Sequence, residues 1–206
     1  MSRLTLFASR TSPYVRKVVI SALETEQFHD IDFIETDVWD PDPEMLDLNP
    51  LGKVPALIVP GEGVLYDSLV ICEYLDARHS GPRLIPLQGR ERWSVLTRHA
   101  LADGILGALL ARRWELRFRP KDQQSDFWMK RQNIKIERGL DALESEASAL
   151  SESFSLDAIA VVAALAYMDM RMDLLAMKAD WRIGRPHLAA WYEKVRERAS
   201  VVRTAA

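Results

Sequence analysis

Three hydroxyl side chains fall within four positions near the start of the chain, at Ser9, Thr11 and Ser12. Pro13 follows them, and apolar residues at helical spacing begin at Val15. Serine followed by proline suits the N-cap and first position of a helix, so one interpretation is that Ser12 only starts the helix. The other interpretation uses the same geometry, because a helix N-terminus and a hydroxyl donor together stabilise a thiolate. Both interpretations are open on these residues alone.

A second pattern of possible chemical interest is the apolar run that begins at Pro55 in "NPLGKVPALIV". Proline is tolerated at the start of a strand because it has no N–H to donate. The Val54–Pro55 bond can therefore be an ordinary trans bond that enters an edge strand, or a cis bond. A cis bond would turn the N–H and C=O of Val54 outward, where they could pair with a ligand.

A third pattern is the pair Asp67 and Ser68, which opens the helical stretch "DSLVICEYLDARH". Both residue types rank high among N-cap residues, so capping alone explains them. A helix N-terminus also presents N–H groups and a partial positive charge, which suit a ligand carboxylate. Ser68 would add a hydroxyl donor, and Asp67 could meet an ammonium group.

The composition bounds the class of protein. The chain has 206 residues, 48% apolar and 28% charged, which is typical of a soluble globular protein with one large or two small domains. Its net charge of −3 gives no general reason to expect a nucleic-acid partner. Cys72 is the single cysteine, which excludes an intrachain disulfide and a cysteine-based zinc site, and the four scattered histidines predict no metal site. Because the sequence shows neither a signal-peptide pattern nor an apolar run of about 20 residues, we expect a cytoplasmic protein with no membrane partner.

The first half of the chain alternates short apolar runs with helical stretches. The patterns predict strands at 4–8, 31–38, 55–60 and 63–66, helices at 13–26 and 67–79, and a helical turn at 44–48. Gly61-Glu62-Gly63 joins the last two strands as a hairpin. This order, β-α-β-loop-β-β-α, predicts a small α/β domain.

The second half of the chain has almost no strand pattern. Its apolar spacing predicts helices at 90–118, 125–150, 155–176 and 185–201. The intervening segment "SGPRLIPLQG" carries glycine, proline and serine, as a linker does. We therefore predict an α/β domain at 1–79, a linker at 80–89 and an all-helical domain at 90–206.

These motifs together make the chain resemble a glutathione S-transferase. The resemblance covers nearly the whole chain and is carried by "NPLGKVPAL" and "LYDSLVICEYL" at the expected separation, with "RPHLAAWYEKVRER" near the C-terminus. It is a likeness to cytosolic, bacterial members of the family with a serine-type active site. It implies a thioredoxin-like fold for the first domain, a helical second domain and a cis Val54–Pro55 bond.

The resemblance implies that glutathione is the co-substrate, bound across the first domain without a metal. The backbone of Val54, before Pro55, would pair with the cysteinyl backbone of glutathione as an added strand does. Ser68 would hold the γ-glutamyl carboxylate with help from Asp67. Lys53 could reach a glutathione carboxylate or the neighbouring backbone.

The same resemblance bears on the catalytic hydroxyl. "SPYV" occupies the place of the Cys-Pro-Tyr-Cys motif of glutaredoxins, with Ser12 for the first cysteine and Val15 for the second. Disulfide exchange by the chain's own thiols is therefore excluded at this site. Serine-type transferases use a hydroxyl to donate to the glutathione thiolate. We expect Ser12 to have this role, with Thr11 as the second candidate and Ser9 as the third.

A small electrophile would lie between the two domains in this architecture. Its candidate lining residues are Trp39, Arg112, Arg113 and Trp114, although core packing is the alternative for the tryptophans. An arginine nearby would favour an anionic co-substrate. Members of the family usually form homodimers, and we expect one here.

One departure from the family pattern concerns the core helix of the second domain. The usual Ser-x-x-Asp capping box is altered, because Ser155 is present but Asp157 stands one position early and Ala158 fills the acidic position. We expect Ser155 still to cap the helix without the reciprocal side-chain bond.

The implied activity is transfer of glutathione to small electrophiles, as in detoxification, or its addition and release in an isomerisation. The alternative is a catalytically weak, transferase-like interaction module whose glutathione site has decayed. The retained hydroxyl at Ser12 and the Asp67-Ser68 pair favour a working enzyme. A glutathione-dependent reductase is disfavoured because residue 12 is not a cysteine.

Overall fold

The structure is a computed structural model that describes residues 3–40, 43–150, 153–175 and 179–205. By packing, the chain forms two compact units. The α/β unit runs to Ile85 and also takes in the segment from Ala199 onward, and the helical unit runs from Pro86 to Arg198. The predicted fold class is confirmed, but the division differs at its end, because the final segment returns to the α/β unit instead of joining the helical one.

The α/β unit contains the predicted series of strands and helices. In chain order these are β1 (Leu4–Ala8), α1 (Pro13–Glu24), β2 (Ile31–Glu35), α2 (Pro43–Leu48), β3 (Ala56–Val59), β4 (Gly63–Leu65) and α3 (Ser68–Ala77). A short 3₁₀ turn at Phe28–Asp30 precedes β2. The sheet order is β2-β1-β3-β4, with β1 parallel to β2 and the other two pairs antiparallel.

Strand β2 is shorter than the predicted run at 31–38. Ala8, the last residue of β1, pairs with Glu35, and the Thr36 N–H donates to the Ala8 carbonyl at 2.8 Å. Beyond that bond the chain after Ala8 turns away, so residues 37 and 38 have no strand beside them.

The core of the α/β unit lies between the sheet and its helices. Leu4, Leu6 and Leu57 are at most 1% exposed, as expected for the central strands. Most of the apolar stripe that begins at Val15 in α1 is buried: Val18 and Ala22 are fully enclosed and Val19 is half-buried. This face of α1 packs against α3. Burial of this stripe is the main source of helix stability here, since helices in water depend on packing more than on propensity.

The chain after α3 is held by one buried carboxylate. The Asp76 carboxylate accepts the N–H of Leu84 at 2.6 Å and the N–H of Ile85 at 3.2 Å, and it lies 3.2 Å from His79 Nε2. Asp76 is 4% exposed, so this bonding compensates the cost of burying its charge. The predicted linker is therefore an ordered segment at its start.

The helical unit is built around one enclosed helix. In chain order the helices are α4 (Gly89–Phe118), α5 (Asp126–Ser145), α6 (Ala147–Leu150), α7 (Leu156–Arg171) and α8 (Pro186–Val195), with a 3₁₀ turn at Lys121–Gln123. Every residue from Leu156 to Leu165 is at most 1% exposed, so the first ten residues of α7 are buried on all sides. None of the helices formed by the described residues has both the length and the apolar character needed to cross a bilayer.

Two predicted helices are each divided in the structure. The predicted helix at 125–150 breaks at Glu146, where the Ser145 hydroxyl donates to the Ala142 carbonyl at 2.7 Å and competes with the helical ladder. The predicted helix at 185–201 ends at Val195. A tight turn, closed by the Arg198 N–H on the Val195 carbonyl at 3.1 Å, separates it from α9 (Ala199–Arg203).

The core helix α7 also differs from its predicted bounds of 155–176. It ends at Arg171, and beyond that end the carbonyl of Leu175 accepts a hydrogen bond from Arg112. Residue 176 lies outside the described residues.

The N-terminus of α7 follows the altered pattern of the sequence. Ser155 is the N-cap residue but makes no side-chain capping bond; its hydroxyl donates to Asp157 Oδ1 at 2.5 Å. Asp157 is 1% exposed and accepts from Arg98 Nε at 2.6 Å. The expected loss of the reciprocal bond is confirmed, whereas the expected cap by the Ser155 hydroxyl is wrong, because Asp157 takes that hydroxyl.

The segment that carries α9 is fastened along α1. Arg16 donates from Nε to the Thr204 hydroxyl and from Nη2 to the Val201 carbonyl, each at 3.2 Å. The Ser200 hydroxyl donates to Glu24 at 2.5 Å. These bonds span most of the length of α1 and explain why the final segment belongs to the α/β unit.

Candidate functional site

The strand register brings three predicted segments to one end of the sheet. Phe7 pairs with Ala56, so the chain leaving β1 lies beside the chain entering β3. Leu57 pairs with Leu65, so the chain leaving β4 lies on the other side of that same entry. Adjacent strands are about 4.8 Å apart. The hydroxyl loop after β1, the Val54–Pro55 bond and the start of α3 therefore lie side by side.

Ser12 is the N-cap of α1, as predicted. Its backbone is extended, with φ −80° and ψ 120°, and its Oγ accepts the Val15 N–H at 3.3 Å, while Pro13 starts the helix. A hydroxyl that accepts one bond still has its own proton to give. Among the described residues, no hydrogen bond uses Ser12 Oγ as a donor. The cap thus fixes the Ser12 oxygen at a helix N-terminus and leaves its proton available.

The other two candidate hydroxyls lie in the same turn. The Ser12 N–H donates to the Ser9 carbonyl at 3.0 Å, which closes a β-turn with Arg10 and Thr11 at its corners. Thr11 is exposed and Ser9 is half-buried. Of the three, Ser12 holds the N-cap position, where the dipole of α1 adds to the effect of a donor.

The Val54–Pro55 peptide bond is cis, as the resemblance implied. Val54 is 9% exposed, and within the described part of the chain no hydrogen bond uses its N–H or C=O. A backbone amide and carbonyl at the edge of a sheet can pair with an extended peptide. Lys53, just before it, is exposed.

The loop before this bond depends on Asn49, which begins the "NPLGKVPALIV" segment but is not among the predicted site residues. Asn49 is 1% exposed; its Nδ2 donates to the Lys53 carbonyl at 2.7 Å and its Oδ1 accepts the Leu51 N–H at 3.1 Å. Gly52 closes the turn with its N–H on the Asn49 carbonyl at 2.8 Å and has φ +60°, which favours glycine. The Asn-Pro dipeptide is the sequence signal that could have identified this turn.

The start of α3 has the features expected of an anion site. Asp67 is the N-cap, with Oδ1 accepting the Leu69 N–H at 3.0 Å, and the Tyr66–Asp67 bond is cis. Ser68 is 2% exposed, and no hydrogen bond among the described residues involves its hydroxyl. The exposed Asp67 carboxylate lies next to that hydroxyl in the chain. A carboxylate and an ammonium group on one ligand would thus each meet a suitable partner.

The candidate second-substrate residues belong to different units. Trp39, in the α/β unit, is 48% exposed, and Trp114, on α4, is 44% exposed. Arg113, also on α4, donates to the Tyr167 hydroxyl at 3.1 Å. Arg112 is 3% exposed and donates to main-chain carbonyls of Met129 and Leu175, and burial lowers the pKa of its guanidinium. Both tryptophans are thus accessible, and both arginines are engaged within the helical unit.

The fold and this end of the sheet define a thioredoxin-like domain followed by a helical domain. Family models agree with that class. The model described as glutathione S-transferase, N-terminal domain, matches residues 6–83, and the model described as glutathione S-transferase, C-terminal domain, matches residues 126–194. The chain belongs to the glutathione S-transferase family.

Individual relatives match over nearly the full length of the chain. The uncharacterized GST-like protein YibF of Escherichia coli (strain K12) is 35% identical over 202 residues, 97% of this chain and 96% of that protein. A crystal structure of a glutathione transferase family member from Pseudomonas fluorescens Pf-5, with bound glutathione, is 42% identical with a TM-score of 0.91 and covers 98% of both chains. A second structure from that organism, with bound S-(propanoic acid)-glutathione, is also 42% identical, with a TM-score of 0.87 and 98% coverage of both.

Proposed function

We propose that the protein is a glutathione transferase that joins the thiol of glutathione to small electrophiles. The observation that carries this proposal is the Ser12 hydroxyl, which is fixed by the Val15 N–H at the start of α1 and keeps its proton to donate. The glutathione held by a 42% identical relative supports the identity of the ligand.

Glutathione would be held at its backbone and at its charged end. The Val54 N–H and C=O would pair with the cysteinyl residue, and the start of α3 with Ser68 would receive the γ-glutamyl carboxylate. Asp67 would face the ammonium group, and Lys53 a carboxylate. This placement would direct the thiol toward Ser12, a position supported by the neighbouring courses of the loop after β1 and the entry to β3 in the sheet.

The reaction requires the thiolate form of bound glutathione. The S–H proton leaves to solvent, the Ser12 O–H donates to the sulfur, and the dipole of α1 favours the negative charge. Lowering a thiol pKa by about two units corresponds to roughly 2.7 kcal/mol. The thiolate then attacks an electrophilic carbon, a C–S bond forms, and either a leaving group departs or a proton adds to the neighbouring carbon.

The second substrate is the less constrained part of this proposal. The S-(propanoic acid)-glutathione bound by a relative supports electrophiles whose products carry a carboxylate arm. The accessible side chains of Trp39 and Trp114 are candidates for contact with the electrophile. We also expect a homodimer, which analytical sedimentation would test by measuring the mass in solution. We further expect a role in detoxification.

The test is the thiol pKa of bound glutathione, followed by thiolate absorbance against pH. Ser12→Ala should raise that pKa by about one to two units, because the hydroxyl donor is lost while the helix remains. Ser9→Ala and Thr11→Val, in the same turn, serve as matched variants and should change it little. An unmoved pKa in Ser12→Ala, with a rise in one of the others, would transfer the role to that residue.

Calorimetry separates this proposal from the interaction-module alternative. The wild-type chain should release heat on binding glutathione at sub-millimolar to millimolar concentration. No heat at millimolar glutathione would contradict the transferase and favour the module.

A further inference from the structure

The loop that carries Ser12 also carries an accessible guanidinium. Arg10 is the first corner residue of the turn closed by the Ser12 N–H on the Ser9 carbonyl at 3.0 Å. Its side chain is 93% exposed. One residue, Thr11, separates Arg10 from Ser12, so their Cα atoms are no more than about 7 Å apart. A substituent on the sulfur of a glutathione bound beside Ser12 would therefore be within reach of the Arg10 side chain.

The arginines first considered for an anionic co-substrate are engaged elsewhere. Arg112 is 3% exposed and donates to two main-chain carbonyls, and Arg113 donates to the Tyr167 hydroxyl. Within the part of the chain that the structure describes, the Arg10 guanidinium makes no hydrogen bond. Its one ion pair in the described structure is with Glu35, at 3.8 Å between Nε and Oε2, and the Glu35 side chain is 63% exposed. Exposed pairs of this kind contribute little, so a substrate carboxylate can compete for the guanidinium.

Glu35 acts on the same loop in a second way. Its Oε1 accepts the Arg10 backbone N–H at 3.3 Å, which ties the turn to the end of β2. Its negative charge also opposes the approach of an anion. Glu35→Gln would remove the charge and keep an amide oxygen to accept that N–H. The two effects of Glu35 can thus be separated experimentally.

We propose that Arg10 selects electrophiles that carry a carboxylate, and that Glu35 weakens this preference. The proposal rests on the glutathione transferase function proposed above and names its co-substrate class. Arginine suits this role because its planar fork can bind both carboxylate oxygens. Arg10 is a specificity-determining residue that acts on the substituent of the electrophile, not on the sulfur.

The experiment compares two aryl chlorides that differ in one group, 4-chloro-3-nitrobenzoate and 4-chloro-3-nitrobenzamide. In both, the thiolate attacks the carbon that bears chlorine, the C–S bond forms and chloride leaves. The quantity measured is the ratio of kcat/KM for the acid to kcat/KM for the amide. Arg10→Gln should lower this ratio about 5- to 20-fold, and Arg10→Lys should lower it less. Glu35→Gln should raise it about 2- to 5-fold, and added salt should reduce all of these differences.

Arg3→Gln is the matched control. Arg3 is also an exposed arginine paired with a carboxylate, with Nη2 2.6 Å from Asp32 Oδ1, but it precedes β1 and lies at the opposite end of the strand from Arg10. This variant should leave the ratio unchanged. An equal loss with both electrophiles in Arg10→Gln, or an unchanged ratio, would overturn the role of Arg10.

A binding measurement separates failure of this inference from failure of the proposed function. Calorimetry would compare S-(4-carboxy-2-nitrophenyl)glutathione with its carboxamide analogue on the wild-type chain and on Arg10→Gln. Tighter binding of the acid that is lost in the variant supports Arg10 even if neither aryl chloride turns over. Equal binding of both conjugates by the wild-type chain contradicts the inference and leaves the transferase proposal intact.

Discussion

Asn49 donates a hydrogen bond of 2.7 Å from Nδ2 to the carbonyl of Lys53, the residue just before Val54. The same side chain accepts the Leu51 N–H at 3.1 Å and is 1% exposed. One buried amide therefore organises the backbone that we propose pairs with glutathione.

Asn49→Ala should lower both stability and glutathione affinity. The substitution leaves a backbone carbonyl and an N–H without their partner, which costs about 1–3 kcal/mol in the free energy of unfolding. Urea denaturation would measure the stability change and calorimetry the affinity. Asn133→Ala is a matched control, because Asn133 Oδ1 is buried and has no partner among the described residues. Equal effects of the two substitutions would contradict a specific role for Asn49.

Ser68→Ala should weaken glutathione binding while leaving the fold intact. Its hydroxyl makes no hydrogen bond within the described residues, so its removal costs little in the unliganded chain. In the complex the lost bond to a carboxylate corresponds to about 1.5–3 kcal/mol, or roughly 10- to 150-fold in Kd. Ser21→Ala removes another buried hydroxyl, one that contacts Cys72 Sγ at 3.4 Å, and should leave Kd unchanged. An unaltered Kd in Ser68→Ala would refute the carboxylate site.

Two glycine substitutions in the helical unit should have opposite effects. A Cβ at Gly139 on α5 would lie 2.7 Å from Ile105 Cγ1, so Gly139→Ala should destabilise the protein by about 1–3 kcal/mol. At Gly104 on α4 the same atom would meet open space, so Gly104→Ala should stabilise the protein by about 0.5–1 kcal/mol through helix propensity. Thermal unfolding of both variants tests the packing of α5 on α4; a stabilising Gly139→Ala would show that this packing is looser than described.

The ionised carboxylate of Asp180 should stabilise the folded chain at neutral pH, and this contribution should be lost in acid. The Arg182 backbone N–H, which donates to Asp180 Oδ1 at 2.9 Å, lowers the pKa of this carboxyl below its usual value of 3.8. A lowered native pKa means that the contribution is present above the unfolded pKa and is lost as the pH falls through the native one. Asp180→Asn should therefore be less stable than wild type at pH 7, with the difference shrinking below about pH 4. Denaturation curves across that range would check this, and a difference that grows toward acid would contradict it.

Local sequence patterns were sufficient for the features that depend on neighbours in the chain. Ser12 with Pro13 predicted the start of α1, and Asp67 predicted the cap of α3, because a capping bond joins residues two or three positions apart. The cis Val54–Pro55 bond needed more, since its local sequence allowed both isomers and the family resemblance favoured one.

The features that depend on distant residues could not be predicted in this way. The helix predicted at 185–201 breaks at Arg196–Arg198, and the segment after the break is held by a hydrogen bond from Ser200 to Glu24. These two residues are 176 positions apart in the chain. The hydrogen bonds of Arg112 could not be predicted either. Their acceptors are main-chain carbonyls of residues 129 and 175, which no side-chain motif indicates. The proposal about the co-substrate depends on the exposure of the Arg10 side chain. Exposure is a property of the folded chain and cannot be read from a local motif.

The return of α9 to α1 makes the helical unit an insertion between two parts of one domain, with Ile85 before it and Ala199 after it. A fragment cut at residue 85 would therefore expose the side of α1 that Val201, itself 2% exposed, now covers. Anyone grafting a foreign helical domain onto this scaffold should splice at both junctions and keep the terminal segment.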